Sequence, residues 1–360
     1  MYQAPRITMT MLGASGCGKT TYLHGMYAVL SSGLNGYFLY ATDPDKDLDL
    51  ADAWDELCAA GTLPEATDVV PVDYEFAFKH GMTTLLEIDF QDYRGGAGTD
   101  RMGTAGASAD VTALKERLAV SDTIILALDG QHVADWINDG AGDARDRPGD
   151  MRNRSGDPMH IARFSRAIST VVEAHVRQGE QTPAIIVLLT KCDVLAQITG
   201  RPTRDALDVV RRNLFDLVPV LAHQVTVLLC PVQIGTFGLD REDALKVRPD
   251  QVNPKNLHKP ISFALMHYLT ERLPRQQESL SGLDQRLDSQ RQEVESLRNG
   301  FLGSWIKRGR INALESSIDA DRARRGETAG EIGGARVWAE QMAEDLRTSP
   351  IYRDGKLQED

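Results

Sequence analysis

The sequence predicts an α/β fold in which a mainly parallel sheet is flanked by helices. Thr123–Leu128, Ala184–Leu189 and Val225–Leu229 are continuous β-rich apolar runs, as expected of central parallel strands that are buried on both sides. Segments with apolar residues at helical spacing separate these runs. Strands that alternate with helices indicate a parallel sheet covered on both faces.

Local patterns predict the other elements. Ile7–Leu12 is a short apolar run before a glycine-rich turn, which favours a buried strand, and Lys19–Leu30 has the spacing of a helix. Tyr74–Lys79 and Thr83–Phe90 are predicted strands, and the turn between them favours a hairpin. The remaining predictions are a strand at Tyr37–Ala41, a loop at Cys58–Val70, a mobile insertion at Asn138–Asp157, and helices at Asp43–Glu56, Ala113–Leu118, Met159–Val176, Arg204–Leu221 and Pro260–Leu273.

The character of the chain changes beyond Pro274. Residues at alternating spacings of three and four, all apolar except Gln290, form a seam typical of packed helices: Leu280, Leu283, Leu287, Gln290, Val294, Leu297 and Phe301. Asn299–Gly303 interrupts the seam, and helical spacing resumes over Ile311–Ile318. We predict a globular domain over 1–273, a helical hairpin or coiled-coil appendage over 274–348 and a frayed tail over 349–360. The seam, over 280–318, either packs onto the globular domain or serves self-association or partner docking, and we favour docking.

Composition argues against several classes of protein. The net charge of −12 makes the chain a poor bulk binder of nucleic acid. Its four cysteines show neither paired nor zinc-like spacing, which favours a reducing compartment. No signal peptide is evident at the N-terminus, and no apolar run predicts a transmembrane segment. We therefore expect a cytoplasmic protein.

The first chemical motif is Gly13–Thr20, which matches G-x-x-x-x-G-K-[ST] at every fixed position and lies between a predicted strand and a predicted helix. Glycines let the backbone fold around a phosphate, and the helix N-terminus adds partial positive charge. Lys19 can reach β- and γ-phosphate oxygens, and the Thr20 hydroxyl can bind Mg²⁺. The predicted phosphate-loop contacts are Gly13, Ala14, Ser15, Gly16, Cys17, Gly18, Lys19, Thr20 and Thr21.

The second motif is a D-x-x-G, Asp92-Tyr93-Arg94-Gly95, at the end of an apolar strand. The Asp92 carboxylate is placed to hold a magnesium-bound water. The backbone N–H of Gly95 can meet a γ-phosphate and hinge a switch loop. Asp89 is a competing metal carboxylate, but the glycine follows Asp92 at the proper spacing.

The third motif is Thr190-Lys191-Cys192-Asp193, directly after the strand predicted at Ala184–Leu189, and it matches [NT]-K-x-D. The Asp193 carboxylate can accept hydrogen bonds from guanine N1 and from the 2-amino group. Adenine offers neither donor there, so the pairing discriminates between the two bases. The Lys191 stem can pack over the purine ring, and Thr190 completes the predicted base side of the site.

With these three motifs in this order, the chain resembles P-loop GTPases of the translation-factor/Ras-like (TRAFAC) class over about three quarters of its length. Within that class it is most similar to bacterial double-GTPase proteins that work beside defence or signalling systems, through Met11-Leu12-Gly13 and the stretch Leu23–Tyr27. The resemblance implies a P-loop NTPase fold, a Ras-like G domain over 1–273. It also implies GTP/GDP and Mg²⁺ as ligands, and a protein effector or second GTPase as partner.

The resemblance implies a switch I threonine that binds Mg²⁺ between the first helix and the strand that ends at Asp92. Thr67 is the choice, because it precedes the strand predicted at Tyr74–Lys79. Thr62 and Thr42 are the alternatives.

The chain departs from the class at two places. The last base-contacting loop falls at Cys230–Gly235, which lacks the usual Ser-Ala, so backbone contacts are expected from Val232 or Gln233. Gly96 stands where the class carries a water-orienting glutamine, so slow hydrolysis is expected. Arg94 is a candidate for stabilising charge in the transition state.

Three functions fit these residues. A regulatory GTPase would use bound GTP to order residues 58–70 and 93–108 for a partner. An ATPase of a conflict or transport system would leave Asp193 incidental. A pseudo-GTPase scaffold would bind nucleotide without turnover and act through residues 275–348.

Overall fold

The structure is a computed structural model that describes residue 4 and residues 6–64, 71–93, 105–140, 159–238, 246–299 and 304–358. The strands are β1 (Arg6–Gly13), β2 (Tyr37–Ala41), β3 (Val72–His80), β4 (Thr83–Asp92), β5 (Thr123–Asp129), β6 (Ala184–Thr190), β7 (Thr226–Pro231), β8 (Gln233–Gly235), β9 (Val252–Lys255), β10 (Ile351–Arg353) and β11 (Lys356–Leu357). The helices are α1 (Lys19–Ser31), α2 (Pro44–Ala60), α3 (Ala105–Ala119), α4 (Gly130–Gly140), α5 (Ile161–Gln178), α6 (Cys192–Thr199), α7 (Thr203–Leu217), α8 (Lys259–Asn299) and α9 (Ser304–Leu346). Short 3₁₀ turns lie at Pro219–Ala222 and Pro249–Gln251.

The chain divides into two compact units. The first unit comprises Met1–Ile261 and Thr348–Asp360, and the second comprises Ser262–Arg347. In the first unit the described strands form a large sheet in the order β11-β10-β7-β6-β5-β1-β4-β3-β2 and a small sheet of β8 and β9.

The centre of the large sheet is parallel, as predicted. Strand β1 pairs in parallel with β4 and β5, and β5, β6 and β7 continue the parallel block. Every residue of β5 and β6 is buried, which explains their unbroken apolar runs. The result is a mixed α/β fold with a mostly parallel sheet and flanking helices.

The hairpin predicted around Gly81 is confirmed, since β3 and β4 pair antiparallel with a bulge between Phe78 and Lys79. Two segments that were predicted to lie outside helices are partly helical. Helix α2 continues to Ala60, because Cys58–Ala60 keep helical geometry until Gly61 caps the helix. Helix α4 similarly includes Asn138–Gly140 of the predicted insertion, and its remainder, 141–157, lies outside the described residues.

The predicted frayed tail is wrong. Strand β10 pairs antiparallel with β7 and covers its outer edge. Tyr352 is buried, and its ring meets Phe215 edge-on at a centroid distance of 5.5 Å. The Arg211 guanidinium lies 5.6 Å from the centroid of the Tyr352 ring. A buried aromatic side chain therefore holds the chain end in the sheet.

The second unit is a pair of antiparallel helices formed by α8 and α9. The helix predicted to end at Leu273 runs through Pro274 to Asn299, because an internal proline removes one backbone hydrogen bond without ending the helix. Leu287 and Val294 of α8 cluster with Ile318 of α9. Two ion pairs show the antiparallel direction: Glu293 with Arg310, and Asp284 with Arg325. Coiled-coil geometry and self-association stay predictions.

No helix among the described residues combines the length and the apolar character needed to cross a membrane.

Replacing Tyr352 by alanine tests the tail. We expect Tyr352→Ala to lower the free energy of unfolding by about 3 kcal/mol, because a buried aromatic side chain is lost from the sheet edge. The exposed Lys356→Ala is the control and should change it by less than about 0.5 kcal/mol. Urea denaturation followed by circular dichroism measures both. Equal midpoints for the two variants would mean that the tail contributes nothing.

Candidate functional site

The candidate site lies where the parallel strands end. The carboxyl ends of β1, β4, β5, β6 and β7 meet at one edge of the sheet, and register fixes which residues face each other. Met11 lies opposite Asp92, and Asp129 lies opposite Thr190. In open α/β sheets ligands bind at this edge.

The phosphate loop follows β1. Gly18 has a φ of +89°, a left-handed conformation that glycine adopts without strain, and it caps the start of α1. The loop therefore passes directly into the N-terminus of a helix, as predicted. Ser15 and Gly16 are exposed, whereas Cys17 is buried. Thr20 and Thr21 are half-buried in the first turn of α1.

The Lys19 ammonium group lies inside the phosphate loop. It is buried, and its Nζ donates hydrogen bonds to the carbonyl oxygens of Gly13 (3.0 Å) and Ala14 (3.1 Å). This places a positive charge at the C-terminal end of β1, where an anionic ligand would meet it.

Asp92 supplies a buried carboxylate beside this lysine. The residue is 1 % exposed, and its Oδ1 is buried without a hydrogen-bond partner among the described residues. Burial raises the pKa of Asp92 to about 6, although the Lys19 charge opposes the shift. A buried carboxylate oxygen without a partner fits a hard cation such as Mg²⁺, which takes oxygen ligands. The Thr20 hydroxyl, at the start of α1, could serve the same ion.

The carboxylate of Asp89, the alternative metal ligand, is paired with two arginines. Its carboxylate accepts two hydrogen bonds from Arg117, at 3.0 and 2.7 Å, and forms an ion pair with Arg6 at 3.2 Å. The hydrogen bond from Arg117 lowers the pKa of Asp89. The geometry therefore favours Asp92.

The third motif is fastened directly onto the phosphate loop. The Thr190 hydroxyl donates a hydrogen bond to the Cys17 carbonyl oxygen at 2.6 Å. Lys191 has a left-handed backbone, with a φ of 50°, and its Nζ donates to the Gly16 carbonyl oxygen at 3.0 Å. Two predicted segments that are far apart in sequence thus share hydrogen bonds.

Asp193 holds a loop that the sequence did not single out. Its Oδ2 accepts backbone hydrogen bonds from Phe237 at 2.8 Å and from Gly238 at 3.3 Å. The Val232 amide donates to the Leu189 carbonyl oxygen at 2.8 Å. The backbone contact expected from Val232 or Gln233 stays a prediction.

An open cavity lies between these segments. Leu63 and Phe237 add apolar surface to its lining. The predicted site residues that line the cavity are Gly18, Thr21, Thr190, Lys191, Asp193, Val232 and Gln233. The cavity thus adjoins the phosphate loop on one side and, on the other, the third motif, Thr190–Asp193, which we call the base-side motif.

Asp129 is a site residue that sequence reasoning missed. Its Oδ2 accepts a hydrogen bond from Lys191 Nζ at 2.5 Å, and its Oδ1 accepts one from the Gln131 amide at 2.8 Å. This carboxylate thereby holds the lysine against the phosphate loop. The available signal was its position: like Asp92, it ends a buried strand at the sheet edge that carries the site.

Several predicted residues lie outside the described part of the chain: Thr67, Arg94, Gly95 and Gly96. Both alternatives for the switch I threonine are described. The Thr42 hydroxyl donates to the Glu75 carbonyl oxygen at 3.2 Å beyond the end of β2, on the edge of the sheet. Thr62 forms an isolated antiparallel bridge with Lys246.

Comparison with known proteins finds a likeness among solved structures. No family model matches the chain, and no curated protein matches it. The solved structure of the Saccharomyces cerevisiae Ski7 GTPase-like domain, bound to GDP and inorganic phosphate, is similar to this chain at 14 % sequence identity with a TM-score of 0.33. The match covers 64 % of this chain and 43 % of that chain, so this chain spans less than half the length of that structure.

The raised pKa of Asp92 predicts a pH-dependent stability without nucleotide or metal. A carboxyl group whose pKa is higher in the folded state stabilises the fold below the unfolded pKa and loses this effect as the pH rises through the folded value. Relative to Asp92→Asn, the wild-type free energy of unfolding should fall by up to about 3 kcal/mol between pH 4 and 7. Chemical denaturation across this range measures the difference.

Asp89→Asn is the matched control for the direction in which the free energy of unfolding changes with pH. The pKa of Asp89 is lowered, so its carboxylate stabilises the fold above the unfolded pKa and loses this effect in acid. The two wild-type-minus-variant curves should therefore slope in opposite directions. A flat Asp92 curve would show that Asp92 is solvated like an ordinary surface carboxylate.

Proposed function

We propose that this chain binds GTP with Mg²⁺, hydrolyses it slowly and acts as a nucleotide-controlled switch for a partner protein. The observation that carries the proposal is the joining of the phosphate loop to the base-side motif, through Thr190 to Cys17 and Lys191 to Gly16. A triphosphate in the loop and a purine at Asp193 would then be parts of one ligand.

Asp193 gives the preference for guanine. A carboxylate has about four acceptor sites on its two oxygens, so the two amides on Oδ2 leave capacity for the N1–H and 2-amino donors of guanine. Adenine would leave this capacity poorly paired, which costs binding free energy. Lys191 carries an apolar stem at the cavity wall, where it can pack on the purine.

The phosphate side is proposed to bind the triphosphate through this chain's own charges. Lys19 and the loop amides would neutralise phosphate oxygens, and the N-terminus of α1 would add its partial positive charge. Thr20 and Asp92 would hold Mg²⁺, together with Thr67 if the predicted switch I assignment is right. The ion would supply charge neutralisation on the phosphates.

Slow turnover follows from Gly96, which offers no side chain to orient the attacking water. In this proposal Gly95 contacts the γ-phosphate and Arg94 is the candidate for stabilising charge during hydrolysis. The partner would be an effector or second GTPase that recognises the nucleotide-bound form, with residues 280–318 as a docking surface. Location in the cytoplasm belongs to the same proposal.

One observation favours a second candidate, an ATPase. Because Asp193 already holds the Phe237–Gly238 backbone, its presence has a structural explanation that needs no guanine. Nucleotide preference therefore decides between the two functions.

Calorimetric titration with GTP, ATP and XTP tests the base preference. Wild type should prefer GTP, and Asp193→Asn should weaken GTP binding by about 100-fold while it improves XTP binding. Asparagine keeps an acceptor for the Phe237 amide, so the cavity should survive the change. Asp216→Asn makes the same chemical change on the exposed face of α7 and should have no effect. Tighter ATP than GTP binding would contradict the guanine preference and favour the ATPase.

Phosphate release tests turnover. We expect wild type to hydrolyse GTP at about 10⁻³ per second or more slowly, because no side chain at position 96 aligns the water. Lys19→Ala should abolish both binding and release, since the loop then lacks its ammonium group. GTP binding without any phosphate release, alone or with cell extract, would identify a nucleotide-binding scaffold.

A further inference from the structure

Two remote segments are clasped together beside the cavity. The Val247 amide donates a hydrogen bond to the Gly61 carbonyl oxygen at 2.8 Å, and Thr62 and Lys246 form an antiparallel bridge. We call these paired residues, 61–62 and 246–247, the clasp. The adjacent Leu63 lines the cavity.

The clasp depends on a glycine. Gly61 is buried and ends α2 in the left-handed conformation, with a φ of 70°, while its amide donates to the Leu57 carbonyl oxygen at 3.0 Å. A Cβ atom there would lie 1.8 Å from the Val247 carbonyl oxygen, far inside van der Waals contact. Any other residue would therefore push the two segments apart.

Residues 246–247 are themselves anchored to the cavity wall. The 3₁₀ turn Pro249–Gln251 follows them, and the Thr236 amide donates to the Gln251 carbonyl oxygen at 3.0 Å. Thr236 directly precedes Phe237, whose amide binds Asp193. The wall near Asp193 and the wall near Leu63 are thus held by one continuous set of backbone contacts.

We propose that the clasp sets the rate at which nucleotide leaves the cavity, by holding Leu63 as an apolar wall against the nucleoside. This inference rests on the proposed function, because it concerns the same cavity. With the clasp closed, the backbone that leads into Leu63 is held against residues 246–247, so the nucleoside leaves only when the wall moves. Gly61 and Val247 are accordingly positioning residues, and Leu63 is the contact.

Two substitutions test the wall. Leu63→Ala and Gly61→Ala should each raise the dissociation rate constant of a fluorescent GDP by about tenfold, through lost apolar contact and an opened clasp respectively. Gly200→Ala is the matched control, because Gly200 caps α6 with a φ of 60° but a methyl group added there would meet no atom within 4 Å. It bears the same backbone strain and should leave dissociation unchanged.

A reversible lock tests the clasp itself, and it decides the matter if Gly61→Ala does not fold. The hydrogen bond from Val247 to Gly61 makes Thr62 and Lys246 a non-hydrogen-bonded pair, whose Cα spacing of about 4.5 Å suits a disulfide. The variant carries Thr62→Cys and Lys246→Cys, with the exposed Cys58 replaced by serine. Oxidation should slow GDP dissociation at least about fivefold, and dithiothreitol should restore it.

The outcomes separate the two proposals. If wild type binds GDP but Leu63→Ala and the oxidised lock both dissociate at the wild-type rate, the clasp has no role in release. If wild type binds neither GDP nor GTP, the proposed function fails and the inference about release fails with it. Faster release in Leu63→Ala and slower release in the oxidised lock together support the inference.

Discussion

Parallel pairing of β1 with both β4 and β5 determines which residues of this protein can meet. The phosphate loop, Asp92 and Asp129 leave the sheet at the same edge because their strands run in the same direction. Strand β6 adds Thr190 and Lys191 at that edge, and both side chains bind carbonyl oxygens of the loop. The site is therefore a consequence of strand direction and register, and two hydrogen bonds then fix the loop to the neighbouring motif.

Burial of charged groups at this edge of the sheet costs free energy that a bound ligand can offset. Lys19 and Asp92 are both buried, and one oxygen of Asp92 lacks a hydrogen-bond partner among the described residues. Leaving such a group unpaired costs about 1–3 kcal/mol, which lowers the free energy of unfolding. Each oxygen of Asp129, in contrast, accepts a hydrogen bond, one from Lys191 and one from the Gln131 backbone amide, and this carboxylate holds that lysine in place. The two carboxylates thus have different physical roles, although both end buried strands.

Sequence predicted the features that depend on local pattern. Unbroken apolar runs located β5 and β6, and the glycine spacing with its flanking strand and helix located the phosphate loop. Contacts between residues remote in sequence could not be predicted. No local sequence pattern indicates that Asp193 binds the Phe237 amide, or that Gly61 binds Val247. The tail was misjudged for the same reason, since Tyr352 is ordered by strand β7 and not by its neighbours in sequence.

The central claim is that one nucleotide occupies the phosphate loop and the base-side motif together. Hydrogen–deuterium exchange of the whole chain, with and without GTP and Mg²⁺, measures this directly. The account predicts that GTP slows exchange simultaneously in peptides covering residues 13–21, 190–193 and 232–238, and that ATP does so less. Protection of the phosphate loop alone, or equal protection by both nucleotides, would contradict it.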